Sequence, residues 1–343
     1  MIMKKNGKLS RRSFLNVIGA GLTGSLISSC GSRESSGLVE PPLNSQTMPM
    51  RVLGNTGLRA SILSFGGGSR FLELTEGDWQ IALENSLQGG INLFDTGPAS
   101  NSYGPNGESE KRFGKILSEN YRDKVILCTK VDSRDSTRAE SDINQSFQNL
   151  RTDVIDILQI HGLEPEDNLD HILGENGIWT LMKRLKQEGR VRFIGATVMH
   201  SSPLALEFAQ RARPDVMLLA INAFTQGRGT PYADFEDSTL AQIRAMGIGV
   251  MSMKALRDMV GTGPGRMSVD KLMQYNWNLN ISTALVGHEK LSELDYNIEL
   301  AISQNQQIGL SAEEINYIRR KVKERKNLPC WMHPGYEEGR FRV

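Results

Sequence analysis

From position 61 to 302 the chain alternates short apolar or β-branched runs with longer stretches in which apolar residues return every three or four positions. The short runs predict strands at Ile62 to Phe65, Ile91 to Asp95, Val125 to Lys130, Ile155 to His161, Val191 to Thr197, Val216 to Asn222, Gly249 to Lys254 and Thr283 to Gly287. Most are apolar on both faces, as parallel strands covered on two sides must be. The longer stretches predict helices at Trp79 to Leu87, Glu108 to Leu117, Ala139 to Leu150, Ile178 to Gln187, Pro203 to Gln210, Thr239 to Met246, Val269 to Leu279 and Leu291 to Ile302. A doubly wound open sheet is the competing architecture and would usually open on a spaced G-x-G-x-x-G turn. The glycines of Ser64-Phe-Gly-Gly-Gly-Ser-Arg70 are contiguous, and no long helix pattern opens directly behind them. We therefore expect an α/β fold of the (β/α)8 TIM barrel type, at about 30 residues per unit.

Two additions flank the repeats. Turn formers within Arg51-Val-Leu-Gly-Asn-Thr-Gly-Leu58 predict a small N-terminal β-hairpin plugging the barrel floor. Ser311-Ala-Glu-Glu314 predicts a capping box opening a C-terminal helix to about Lys326. The expected organisation is a signal segment over 1–29, a linker over 30–49, a barrel over 50–326 and a tail over 327–343.

Composition changes the picture mainly at the start of the chain. With 39% hydrophobic and 23% charged residues, the body has enough apolar material for a packed core and is neither disordered nor polytopic in a membrane. The formal charge of +1 hides an asymmetry. Lys4, Lys5, Lys8, Arg11 and Arg12 lie within the first 29 residues and no acidic residue precedes Glu34, so the remainder carries −4. Nothing in that balance asks for nucleic acid. Ser13 to Ser32 is uncharged but diluted by Gly and Ser. Arg11-Arg12 resembles a twin-arginine signal, and Ile27-Ser-Ser-Cys30 resembles a lipoprotein cleavage site. That resemblance implies export to the periplasmic face, acylation at Cys30 and a membrane surface as partner. A cytoplasmic protein with an apolar N-terminus is the alternative. Cys128, inside an apolar run, reads as a small core residue; pairing with Cys330 is left open.

Chemistry in such a barrel gathers where the strands finish. Asp95, Lys130 and His161 end three consecutive predicted strands, and Tyr103 follows in the loop after Asp95. Each alone could turn to solvent. Together, charges of opposite sign at one rim make most sense as a paired network, because a lone buried charge is costly.

On these residues the chain resembles the aldo-keto reductases over roughly 50 to 325. The matching elements are Leu53-Gly-Asn-Thr-Gly-Leu58, Asn92-Leu-Phe-Asp-Thr96, Ser102-Tyr-Gly104, Gly107-Glu-Ser-Glu110, Thr129-Lys130, Leu158-Gln-Ile-His161, Gly189-Arg-Val-Arg-Phe-Ile-Gly195 and Gly249-Val-Met-Ser-Met-Lys-Ala-Leu256. The resemblance implies an NAD(P)H-dependent oxidoreductase that reduces an aldehyde, ketone or sugar, with NADPH or NADH as cofactor. It makes Asp95, Tyr103, Lys130 and His161 a catalytic tetrad. Tyr103 would give the proton, helped by the Lys130 ammonium, which Asp95 holds. A neutral His161 would donate a second hydrogen bond to the carbonyl oxygen.

For the nucleotide the resemblance implies contacts from Thr197, Asn222, Met253, Lys254, Gly287 and Asn297. Val198 stands where relatives usually have Asn, and Met253 where many have an aromatic. The spacing from Asp95 to Tyr103 is about three longer than usual, so the loop must bulge. Glu293 disfavours a 2′-phosphate and so leans toward NADH, with Lys290 and His288 as opposing considerations. No metal-ligand spacing is visible, and the protomer is taken as a monomer. A surface-anchored nucleotide- or sugar-binding barrel without turnover, or a dehydrogenase working in the oxidative direction, are the other readings.

Overall fold

A computed structural model describes residues 48–224, 234–236, 239–256, 259–304 and 309–324, together with the backbone of 336–337 and 340–341. The basic N-terminal segment, Cys30 and Cys330 lie outside the described residues.

The chain opens with β1 (Met50–Val52) and β2 (Arg59–Ser61), paired antiparallel. The barrel strands follow as β3 (Leu63–Gly66), β4 (Leu93–Asp95), β5 (Ile126–Val131), β6 (Ile155–Leu163), β7 (Val191–Val198), β8 (Val216–Leu219), β9 (Gly249–Ser252) and β10 (Thr283–Val286). All are parallel, and β10 closes the circle by pairing with both β9 and β3. The expected TIM barrel is therefore present. Between and beyond the strands run α1 (Ser69–Leu72), α2 (Asp78–Gln88), α3 (Glu108–Phe113), α4 (Ser136–Leu150), α5 (Leu169–Leu173), α6 (Ile178–Gln187), α7 (Ser202–Ala212), α8 (Thr239–Ala245), α9 (Val269–Asn278), α10 (Leu291–Ser303) and α11 (Ala312–Lys323). A short antiparallel pair, β11 (Tyr336–Glu337) with β12 (Arg340–Phe341), lies in the tail.

Strand alternation divides the apolar residues into two cores. One set packs outward against the helices, for example Phe65, Phe94, Leu127, Leu158 and Ile160. The other fills the barrel interior with Leu93, Ile126, Cys128, Ile157, Val216, Leu218, Met251 and Leu285. The hairpin supplies Leu53, Leu58 and Ala60 to that same interior cluster, all fully buried, so it does plug the floor. Its turn fits because Gly54 has φ +54° and because a Cβ there would stand 2.2 Å from the Gly249 backbone nitrogen at the start of β9. At the other end, Ser311 accepts from the Glu314 N–H while Glu314 accepts from the Ser311 N–H, so the expected capping box opens α11.

Two expected strands run at least two residues past the C-terminal ends of the real ones. The sixth was expected to reach Asn222, but β8 ends at Leu219. The seventh was expected to reach Lys254, but β9 ends at Ser252, and Lys254 takes a left-handed backbone with φ +63°. Past β8, Ala220 to Asn222 remain buried after the ladder stops, while past β9 Met253 and Lys254 are half-buried.

Candidate active site

Period-two alternation sets the inward face of each strand. Leu93 points into the barrel, so Asp95 does too; Cys128 places Lys130; Ile157 places Gln159 and then His161. The apolar interior layer is thus roofed by a carboxylate, an ammonium, an amide and an imidazole. Register sets Lys130 directly beside Gln159.

The carboxylate, ammonium and amide of this roof are joined by hydrogen bonds. Lys130 Nζ donates to Asp95 Oδ2 at 2.5 Å and to the Thr96 carbonyl at 2.6 Å, and Gln159 Nε2 donates to Asp95 Oδ1 at 3.1 Å. Lys130 is 2% exposed and Asp95 3%. Such a pair is stable only because each charge has several partners, since desolvating either alone costs several kcal/mol. Lys130 Nζ also lies 4.7 Å from the centre of the Tyr103 ring, and that ring is 5.7 Å from the His161 ring. The four expected tetrad residues are therefore brought together.

The long loop that carries Tyr103 is pinned at both ends. Ser100 and Gly104 form a backbone bridge, the Ser100 hydroxyl accepts from the Tyr103 N–H at 3.3 Å, and the Tyr103 carbonyl accepts from the Ser109 N–H at 3.0 Å. The Ser109 hydroxyl bonds Thr96 at 2.6 Å, while buried Glu110 accepts from Thr129 and Asn149. Burial pushes the Glu110 carboxyl above its ordinary pKa, against those hydrogen bonds. The phenol ring lies flat over Gly97, where a Cβ would come within 2.4 Å of it. These contacts are how the loop delivers its ring to Lys130.

Sequence reasoning missed two members of this arrangement. Gln159 shares the inward face of His161, two positions earlier, and that periodicity could have identified it. Asp132 carries its carboxylate to 2.5 Å from His161 Nδ1. It lies just past the end of β5, where alternation no longer guides a reading. Because a carboxylate only accepts, a neutral His161 bonded this way keeps its proton on Nδ1. That leaves Nε2 of the neutral ring without a proton.

Of the six residues expected at the nucleotide, Met253, Lys254, Gly287 and Asn297 wall a single cleft of about 510 Å³, which also takes in Asp95 and Tyr103. Thr197 and Asn222 are not part of that wall. The Thr197 hydroxyl is turned toward β6 and accepts from the Gly162 N–H at 2.5 Å. The Asn222 carbonyl oxygen folds back onto the Phe224 N–H at 3.0 Å, three residues beyond the end of β8.

The cleft fits a dinucleotide on two observations. Gly66 and Gly287 approach so closely that a Cβ on Gly66 would stand 3.2 Å from the Gly287 nitrogen, leaving bare backbone on the wall. Beyond them, Asn297 Nδ2 meets His288 Nε2 at 3.0 Å, while His288 Nδ1 and Asn297 Oδ1 are buried with no hydrogen-bond partner among the described residues. A buried donor and a buried acceptor left over on this bonded pair are what the edge of a base would satisfy.

Burial, with a smaller push from the Arg70 guanidinium, lowers the His288 pKa from 6.5 to about 3. Between those values the unfolded chain holds a proton that the folded chain refuses. The stabilisation from a neutral His288 is complete above about pH 6.5 and is lost as pH falls toward 3. At about 1.4 kcal/mol per pH unit, urea unfolding should lose about 2 kcal/mol more between pH 7 and pH 5 in the parent than in His288→Gln. Parallel pH dependences in the two proteins would count against this assignment.

Comparison with known proteins agrees with this geometry. The profile of the Aldo/keto reductase family matches residues 63–259. The chain is 28% identical over 330 residues to the L-galactose dehydrogenase of Arabidopsis thaliana, covering 83% of this chain and 98% of that protein. It is 31% identical over 160 residues to the aldo-keto reductase YhdN of Bacillus subtilis (strain 168), covering 42% and 45%. Among solved structures, the holo form of aldo-keto reductase AKR11C1 from Bacillus halodurans shares the fold with a TM-score of 0.64 at 21% identity, over 81% of this chain and 97% of that one. With a family profile spanning more than half of the sequence and a closed eight-stranded barrel beneath its roof of charged residues, the chain belongs to the aldo/keto reductase family of NAD(P)-dependent oxidoreductases.

Proposed function

We propose that this oxidoreductase interconverts a small sugar or related hydroxy-aldehyde with its reduced or oxidised partner, using Asp95, Tyr103, Lys130 and His161, with NADH preferred. The observation that carries the reading is the buried Lys130 ammonium held by Asp95 and Thr96 against the Tyr103 ring. Carbonyl reduction consumes one carbonyl, one NAD(P)H and one proton and yields one alcohol and one NAD(P)+. The nicotinamide, when bound, supplies the hydride. Met253, Lys254, Gly287 and Asn297 would hold the nucleotide along the cleft wall.

Tyr103 gives its phenolic proton to the oxygen on which negative charge develops. Lys130 stabilises the phenolate left behind, and Asp95, steadied by Gln159, keeps the ammonium in place. Run backwards, the phenolate takes the alcohol proton. The sugar class is supported by similarity to an L-galactose dehydrogenase along nearly all of that protein's length. NADH is supported by Glu293 on the cleft wall and by a His288 held neutral, which offers no cation to a 2′-phosphate.

Titrating the full chain with NADH and NADPH by fluorescence, then assaying aldoses and their alcohols, tests this. Tighter NADH binding with turnover on an aldose is expected. Tight nucleotide binding with no turnover on any carbonyl would select the binding barrel instead. We also propose, from the N-terminal pattern alone, export and lipid anchoring at Cys30. Labelled fatty acid failing to enter the protein in cells would end that proposal.

A further inference from the structure

His161 is contacted on one ring nitrogen by a residue that no family motif in the sequence contains. Asp132 lies two positions past Lys130, and its Oδ1 stands 2.5 Å from His161 Nδ1. The imidazole is 10% exposed and the carboxylate 48%. Asp132 opens onto a polar cavity of about 730 Å³ between the Tyr103 loop, α3 and α4, so its negative charge is solvated on one side while it meets the ring on the other.

We propose that Asp132 is a positioning residue that fixes His161 with a proton on Nδ1, so that His161 assists carbonyl reduction as an imidazolium donating from Nε2. The proposal rests on the reading of His161 as a residue at the substrate oxygen. The chemistry follows from valence. Imidazole has two nitrogens and, when neutral, one proton. If Asp132 holds that proton at Nδ1, Nε2 carries a lone pair and repels a developing oxyanion. Only the doubly protonated ring keeps the Asp132 contact and still offers a hydrogen to the oxygen. His161 gives a hydrogen bond and retains both protons, while the proton transferred is that of Tyr103.

The charges around this contact are themselves paired. Lys130 and Asp95, behind Tyr103, are paired with each other. Glu164 after β6 and His200 after β7 are likewise paired at 2.9 Å. Arg134 donates to the Asp132 backbone carbonyl, and its guanidinium is paired with Asp167. Across the cavity, Lys111 and Arg138 face Asp142 and Glu110, giving mixed charge. A carboxylate in contact favours the charged ring, so the imidazolium should persist to higher pH than it would without Asp132.

The test is histidine ¹H–¹⁵N NMR on the full chain without substrate, alongside pH profiles of reduction. The chain has five histidines, and His161→Gln identifies the signal. In the parent, neutral His161 should be the Nδ1–H tautomer. In Asp132→Ala the titration midpoint should fall by at least about one pH unit, a tenfold change in ionisation. The alkaline limb of kcat/KM should move with it, and Asp132→Glu should restore part of both. A parent Nε2–H tautomer, or a midpoint unmoved in Asp132→Ala, would overturn the proposal. A shifted midpoint in a protein that turns over no carbonyl would leave the Asp132 contact standing and sink the functional reading.

Discussion

Tyr103→Phe should lower kcat for carbonyl reduction by about two to four orders of magnitude, the usual contribution of a positioned general acid, while nucleotide affinity stays within about twofold. The substitution removes one oxygen and leaves the ring. Phe would still lie over Gly97 and beside the Lys130 ammonium, and the bonds that pin the loop, from Ser100, Gly104 and Ser109, are all to its backbone. Neither fold nor cleft shape should change. A loss confined to kcat therefore isolates proton donation from binding. Steady-state rates on the best carbonyl, with nucleotide Kd measured separately, check this. Unchanged turnover in the Phe variant would remove Tyr103 as proton donor.

Asp95→Ala should cost about 3–5 kcal/mol of stability, because it leaves the buried Lys130 ammonium without its counter-charge, facing the Thr96 carbonyl and the Tyr103 ring. It also frees the Gln159 amide inside the barrel. Adding Lys130→Met should recover much of the loss, since removing both charges from an apolar interior is far less costly than removing one. The double variant should remain inactive although it folds. Urea unfolding of the single and double variants measures the coupling directly. Equal stability of Asp95→Ala and the parent would mean that the pair is not buried as described.

Which parts of this were legible beforehand follows from how each signal arises. The eight strands could be read because parallel barrel strands are apolar on both faces, and the three consecutive strand-end charges stood out against them. Helix starts were harder. α4 begins at Ser136, three residues before the apolar pattern, because its first turn is polar and is held by Asp135, which accepts from the Thr137 and Arg138 N–H groups. The short helices α1 and α5 are too brief to show a period, although Asn168 caps α5 in the same way.

Within the site, Asp95, Lys130 and His161 stood out as polar residues closing apolar strands, whereas Gln159 inside β6 and Asp132 just past β5 did not. Asp132 depends on a loop path that no periodicity encodes, as does His288, the loop side of the bond between His288 and Asn297; Asn297 itself, on α10, was expected at the nucleotide. Thr197 and Asn222 show the converse. Expected at the nucleotide, they are not among the residues that line the cleft, and their side-chain oxygens accept from the Gly162 and Phe224 N–H groups.

The proposal that this roof of charges performs hydride transfer is tested most directly by following the hydrogen itself. Incubated with NADH or NADPH carrying deuterium at both nicotinamide C4 positions and with an aldose that it turns over, the enzyme should place one deuterium on the former carbonyl carbon, and Tyr103→Phe should do so far more slowly. Reduction that incorporates hydrogen from solvent at that carbon, or nucleotide binding with no label transferred to any aldehyde, ketone or sugar, would contradict it.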